Sequence, residues 1–423
     1  MPFNYAYAWG RSMAIARQLQ QRGLTSPCAN LPIIYIPGII GSKLYDTRSR
    51  VNVWGDPMPL LRPKPEHASY ALDESGLTAW ERRHEPMKEP PRTIATEQLH
   101  SFAVIPKLVE TLVTKELAYV LENALGYKEG RDLFFLGHDW RQDYRLLSLR
   151  LDEQMQRIRT VYGQNCKVVV IGQSVASLAI KFWLLNTDEA NLNSVARWYS
   201  FGPPQQGTFH ALSMLHGGYY PASQKFRGFA PSDIRTCPSC YQLMPAQPRV
   251  MSHKGTMIED FSFYDPACWQ AYGLGPWHEA HQGEFSPDAL KQYLALGQVF
   301  NEALNEKPER LKKVSQAWFL GDANRAVYAA VAVGKKLLFT AKTIQKEAAD
   351  VAAKALVKGD DHLPLVDFAR QPNGAFVRNY ENIPYGENYM LVGQPKDHRA
   401  LINYGANLKA LAFDLAVVRR KYK

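Results

Sequence analysis

The sequence predicts an α/β protein, a mostly parallel central sheet with helices on both faces and an inserted cap. Two observations predict it. Short apolar runs alternate with stretches of helical period along most of the chain, and one of those runs ends in a cramped bend that carries a serine. The runs are residues 31–36, 133–136, 167–171, 196–200, 316–320 and 388–392. Most are apolar throughout instead of alternating, which fits strands buried on both faces.

Helical stripes fill the intervals. Leu147, Leu151, Met155 and Ile158 mark one face of a helix, and Leu401, Tyr404, Leu408, Leu411 and Leu415 mark another. Leu108, Leu112, Val120 and Leu121 make a less regular third stripe. Two segments break the alternation. Residues 205–284 are rich in Gly, Pro and aromatics, including Tyr219, Tyr241, Phe261, Trp269 and Trp277, and read as a cap. Residues 323–358 read as containing an alanine-rich helix with Ile344, Ala348, Val351 and Ala355 on one side. The expected organisation is a core of 1–204 and 285–423 interrupted by the cap, with the helical insertion inside the second part.

Composition sets the outer limits. With 423 residues, 46% apolar and 21% charged, the chain is not disordered or low in complexity. Its net charge of +10 is spread along the chain. The one dense basic run, Arg419, Arg420, Lys421 and Lys423, reads as a solvated terminus, so nucleic acid is disfavoured as a partner. The first residues lack a secretory core, being interrupted by Arg11, Arg17 and Arg22, and no run is long enough to span a membrane. A cytoplasmic protein is expected, with peripheral membrane contact allowed. Five cysteines do not make a disulfide framework. Cys237 and Cys240 form a lone CxxC, read first as free thiols, with a local disulfide or zinc as alternatives. No cofactor is called for.

The chemistry starts at residues 168–178, where an apolar strand enters Gly172, Gln173, Ser174, Val175 and Ala176 and a helical stretch follows. A nucleophile elbow needs small residues two before and two after its serine, because strand and helix backbones pass close there. Such a serine needs a base. In this order of elements the acid and then the histidine follow the serine along the chain. Of the 11 histidines, His362 and His398 alone lie beyond residue 320. His398 follows the last strand and is the candidate base; His362 is assigned a structural role. His138, His210, His278 and His281 read as surface or pocket-wall residues. The acid is Asp360, Asp361 or Asp322. Asp322 directly follows the strand of residues 316–320, and the other two share a tight acidic turn. An oxyanion hole would combine the backbone N–H of Val175 with that of Ile39, on the glycine-flanked loop after the first strand.

Taken together, these residues resemble the lecithin:cholesterol acyltransferase-like α/β-hydrolases. Pro37, Gly38, Gly41 and Ser42 are similar to that family's oxyanion loop, and Val53, Trp54 and Gly55 to the segment after it. His138, Asp139, Trp140 and Arg141 resemble its Tyr-Asp-Trp-Arg element, and Gly202, Pro204, Gly207 and Thr208 its glycine-proline turn. Ser239 to Pro245 resembles a cap segment, and Gly359, Asp360, Asp361 and His398 fall where the family has its acid and base. The chain departs from the pattern with Gln173 for the usual histidine, Ala176 and Ser177 for a glycine pair, and His138 for tyrosine. The resemblance implies an α/β-hydrolase fold and a serine acyl hydrolase or acyltransferase acting on a lipid or other acyl ester. It favours Asp360 over Asp322 as the acid and places Trp54 and Gln173 beside the substrate. Two alternatives stand: an esterase or transacylase for small or carrier-bound acyl groups, and an inactive lipid-binding module. Oligomeric state is left open.

Overall fold

The computed structural model describes residues 4–25, 31–55, 71–72, 93–99, 101–105, 109–112, 114–220, 228–279, 285–368, 375–393 and 398–422. All six apolar runs are strands of one sheet: β1 (Ile33–Ile36), β2 (Leu133–Phe135), β3 (Val168–Gln173), β4 (Val195–Phe201), β5 (Gln316–Gly321) and β7 (Tyr389–Gly393). A seventh strand, β6 (Ala375–Val377), sits at one edge; three residues are too few to show a period. The order is β6-β7-β5-β4-β3-β1-β2, and every neighbouring pair is parallel.

Alternate residues of each strand face opposite layers. Ile34, Ile36, Val168, Val170 and Trp198 enter one core, and Ile33, Tyr35, Val169, Ile171 and Tyr199 enter the other. Both faces are therefore buried, which is why the runs carry no alternation in sequence. Helices α1 (Tyr5–Gln21), α2 (Lys115–Leu125) and α7 (Gly405–Lys421) cover the second core. The first is covered by α3 (Tyr144–Tyr162), α4 (Ala176–Asn186), α5 (Phe209–Gly217) and α6 (Pro287–Ala303). The stripes at Leu147, Leu151, Met155 and Ile158 and at Leu408, Leu411 and Leu415 are buried as expected.

Two readings need correction. Leu112 ends a strand, Val109–Leu112, and the helix starts only at Lys115; Leu108 lies outside the described residues. The alanine-rich helix expected within residues 323–358 is not a single one. Those residues form strands Asn324–Val327, Ala330–Val333, Lys336–Leu338 and Leu356–Gly359, with short helices Ala341–Glu347 and Ala352–Ala355 between. Ile344, Ala348, Val351 and Ala355 are all buried, so the apolar spacing was real. However, Ala348 leaves helical geometry (φ −143°, ψ 46°), and two short pieces satisfy the spacing that one long helix would. Residues 205–220 and 228–279 carry α5 and several single-turn helices, and Phe229, Tyr241, Phe261, Phe263 and Trp269 from this stretch are buried in the first core. Phe226, another aromatic of that stretch, lies outside the described residues, as do His281 and Lys423. No helix of the described residues is long and apolar enough to cross a membrane.

Candidate active site

Ser174 stands at the end of β3 with φ +53°, a left-handed conformation that is costly for a side chain bearing a Cβ. Its N–H donates to the Phe201 carbonyl at 2.8 Å, and its own carbonyl accepts from Ser177 N–H at 2.9 Å, which holds the bend. Small neighbours make room. A Cβ on Gly172 would lie 2.5 Å from Ile180 Cδ1, and Ala176 is completely buried. Ser177, where the family pattern has glycine, is accommodated by bonding: its hydroxyl donates to the Gly172 carbonyl at 3.3 Å and accepts from Ser200 Oγ at 2.5 Å.

His398 opens a short 3-10 turn, His398–Asn403, just beyond β7. Its Nε2 is 2.8 Å from Ser174 Oγ and its Nδ1 is 2.7 Å from Asp360 Oδ2. The other Asp360 oxygen accepts from the backbone N–H groups of Leu363 at 2.8 Å and His362 at 3.2 Å, which fixes the carboxylate. Strand Leu356–Gly359, antiparallel to Asn324–Val327, delivers Asp360 to this point. Asp361 is exposed beside it with φ +80°. Asp322 is engaged elsewhere, 2.6 Å from Arg378 Nη1. Gly202 also matters here: with φ +58°, a Cβ would come within 2.5 Å of His398 Cε1. The glycine after β4 thus leaves space for the imidazole.

Ile39 and Val175 border the same pocket, and neither backbone N–H has an acceptor among the described residues. Val175 is the N-cap of α4, where backbone donors and the helix dipole favour negative charge. Gln173 lines the pocket, with Oε1 accepting from Tyr35 OH at 2.8 Å. Trp54 does not line it. Trp54 is buried behind the loop, packs at a tilt against Phe229 with ring centres 4.9 Å apart, and donates from Nε1 to the Ile40 carbonyl at 3.0 Å. Since Ile40 has φ +62°, strained for a β-branched residue, Trp54 braces the loop from behind.

The pocket opens to solvent, and the space within and before it amounts to about 540 Å³. Three further lining residues carry weight: His210, which does stand in the pocket wall as one of the two placements read for it, and His362 and Arg399, whose place there the sequence did not reveal. The His210 and His362 rings stack at 4.1 Å, and His362 lies 5.0 Å from His398. His362 is therefore part of the pocket wall as well as of the turn that holds Asp360. Burial, with the nearby charges of His398 and Arg399, pushes the His210 pKa down to about 4, so its ring is neutral at pH 7. Its Nε2 is buried without a partner among the described residues. The only available signal was position: His362 is two residues past Asp360, and Arg399 directly follows His398. His138 is neither surface nor pocket wall but buried, and burial pushes its pKa down to about 3. His278 packs edge-on to His216 at 4.4 Å. Cys237 and Cys240 are free, buried thiols.

No family model matches the chain. It is similar to "Lecithin-cholesterol acyltransferase-like 4" of Arabidopsis thaliana, 24% identical over 258 residues, which is 54% of this chain and 45% of the relative. It is also similar to "Phospholipase A(1) LCAT3" of Arabidopsis thaliana, 22% identical over 254 residues, 50% of this chain and 52% of that one. These matches bear out the resemblance read from the motifs, and the chain spans about half the length of the curated relatives it matches. Among solved structures, a chain of the Tle4–Tli4 complex superposes with a TM-score of 0.52 at 12% identity, covering 92% of this chain and 98% of that one. The fold is an α/β-hydrolase fold.

Proposed function

We propose that the chain is a serine-dependent acyl hydrolase or acyltransferase acting on a lipid ester, with Ser174 as nucleophile, His398 as base and Asp360 as acid. The observation that carries this reading is the unbroken hydrogen-bonded series from Ser174 Oγ through the two His398 nitrogens to Asp360, ending on a strained strand-to-helix bend. The similarity to proteins named for lecithin-cholesterol acyltransferase and phospholipase A(1) supports the ester class.

In this mechanism Ser174 Oγ attacks the ester carbonyl while its proton passes to His398 Nε2. Asp360 orients the ring and stabilises the imidazolium that forms. The carbonyl oxygen gains the negative charge and is held by the N–H groups of Ile39 and Val175. Collapse breaks the bond to the alcohol, which leaves with the proton from His398, and the acyl group stays on Ser174. His398 then takes a proton from water or an acceptor alcohol, which attacks the acyl-serine and restores the free hydroxyl. We place hydrolysis first, because water needs no site of its own whereas an alcohol must be positioned to compete. We further propose that residues 205–284 act as the cap and that the protein meets its substrate at a membrane surface.

The test is covalent labelling with a fluorophosphonate together with ester turnover. Wild type should label, and Ser174→Ala should lose both labelling and about 10⁶-fold of kcat, as a removed nucleophile does. Labelling that persists in Ser174→Ala would refute the assignment. Mass spectrometry of products from a phospholipid donor, with and without a sterol or diacylglycerol, then separates hydrolysis from transfer.

A further inference from the structure

Helix α1 carries a feature that the reaction does not use. Of the nine large hydrophobic side chains exposed among the described residues, three fall within five residues of one another at its start: Tyr5 (57% exposed), Tyr7 (60%) and Trp9 (52%). The helix is seated by Ala8, Ser12, Ile15 and Leu19, which are buried, so these aromatics flank a fixed helix end. Lys115 Nζ lies over the Tyr5 ring and the Arg11 guanidinium over the Tyr7 ring, each at 4.6 Å. The helix holds Arg11, Arg17 and no carboxylate, and the Arg11 charge is met by Glu116 at the start of α2.

Position ties this end to the chemistry. Arg11 packs against Gly405, the first residue of α7, whose absent Cβ would lie 3.2 Å from Arg11 Cζ. At the other end of α1, the site of a Cβ on Gly23 is 3.7 Å from Arg420 Nη2, and Arg22 lies over Phe413. Helices α1 and α7 therefore run side by side in the same direction. Because α7 starts just after the turn that His398 opens, the aromatic end of α1 is at the sheet edge that carries Ser174 and His398.

We propose that Tyr5, Tyr7 and Trp9 seat this edge of the protein on an anionic lipid surface, an inference that rests on the lipid-ester reading above. Tyr and Trp are the side chains that settle at the headgroup boundary, with an apolar ring and a polar tip. Lys115, beside Tyr5 on a chain of net charge +10, complements an anionic leaflet. The contact would hold the pocket at the interface where its substrate is.

The experiment is sedimentation of the full chain with vesicles of phosphatidylcholine alone and of phosphatidylcholine mixed with phosphatidylglycerol. Wild type should bind the mixed vesicles, release in high salt, and bind the neutral ones less. The Tyr5→Ser, Tyr7→Ser, Trp9→Ser variant should bind at least about 10-fold more weakly while its turnover of a soluble p-nitrophenyl ester is unchanged. Trp9→Phe, which keeps the helix, should lose part of the tryptophan quenching caused by brominated phosphatidylcholine in the mixed vesicles. The inference is overturned if wild type ignores anionic vesicles, if the triple variant binds as wild type does, if Trp9→Phe quenches unchanged, or if light scattering shows the patch joining two copies of the chain. Vesicle binding without any ester turnover would instead remove the enzymatic reading and leave the surface standing.

Discussion

Asp360 and Asp322 both lie past strands that end near Ser174, and the difference between them is a matter of partners. Asp360 is buried, receives two backbone N–H groups on one oxygen, and offers the other to His398. Asp322 spends its carboxylate on Arg378. If the acid fixes the tautomer and supports the imidazolium, Asp360→Asn should lower kcat by about 10⁴-fold with the fold intact. Asp322→Asn should stay close to wild type, since a partly exposed ion pair carries little energy. Turnover of a soluble ester, with circular dichroism as the control for folding, decides between them; equal losses would remove Asp360 from its role. Residues 174 and 398 could be named in advance because their surroundings are local: a cramped bend for one, a loop after the last strand for the other. The carboxylate is less local: three aspartates fit by position, the family resemblance favours Asp360, and it is Asp360 that contacts His398.

The element that presents His398 is held from behind by a charge pair inside the protein. Asp414 on α7 is fully buried and accepts from Arg197 Nε at 3.0 Å, Tyr199 OH at 2.7 Å and Gly386 N–H at 2.5 Å. Arg197 also donates to the Glu387 carbonyl at 2.7 Å, so β4, α7 and the segment before β7 share one knot. Removing one member leaves the other charge stranded without water. Asp414→Ala is therefore expected to cost about 3–5 kcal/mol, read as a lowered midpoint in urea. A loss below about 1 kcal/mol would mean that the knot relaxes, with water reaching Arg197. The stripe on α7 announced a core helix, but nothing in its period announced a buried aspartate. A polar residue on an apolar face looks like noise until its partner, 217 residues away, is seen.

Stability of the whole molecule should follow the buried imidazole of His138. In the unfolded chain it takes a proton near pH 6.5, whereas in the fold burial delays this to about 3. Between those values the unfolded state binds more protons, so stability rises with pH there. The contribution is complete above about pH 6.5 and is lost as the pH falls toward 3; His210, pushed down to about 4, acts in the same direction. The melting temperature should therefore drop on acidification from pH 7 to 4.5, and His138→Phe should reduce that slope. A slope unchanged in the variant would contradict the assignment. The same scale holds the interfacial contact of α1, which depends on the placement of a whole helix relative to the pocket.

The sequence by itself determined the layers, six of the seven strands of the central sheet, and the serine at its bend. Those features come from short-range physics: continuous apolar runs for strands buried on both sides, and steric room within two residues of a strained backbone. Tertiary structure alone decided that Trp54 braces a loop instead of lining the pocket, that His362 and Arg399 border it, that His138 is buried away from it, and that the alanine-rich stretch is two short helices among strands. Each of these depends on partners far apart in the chain, and apolar spacing alone does not say whether one helix or several short pieces will satisfy it.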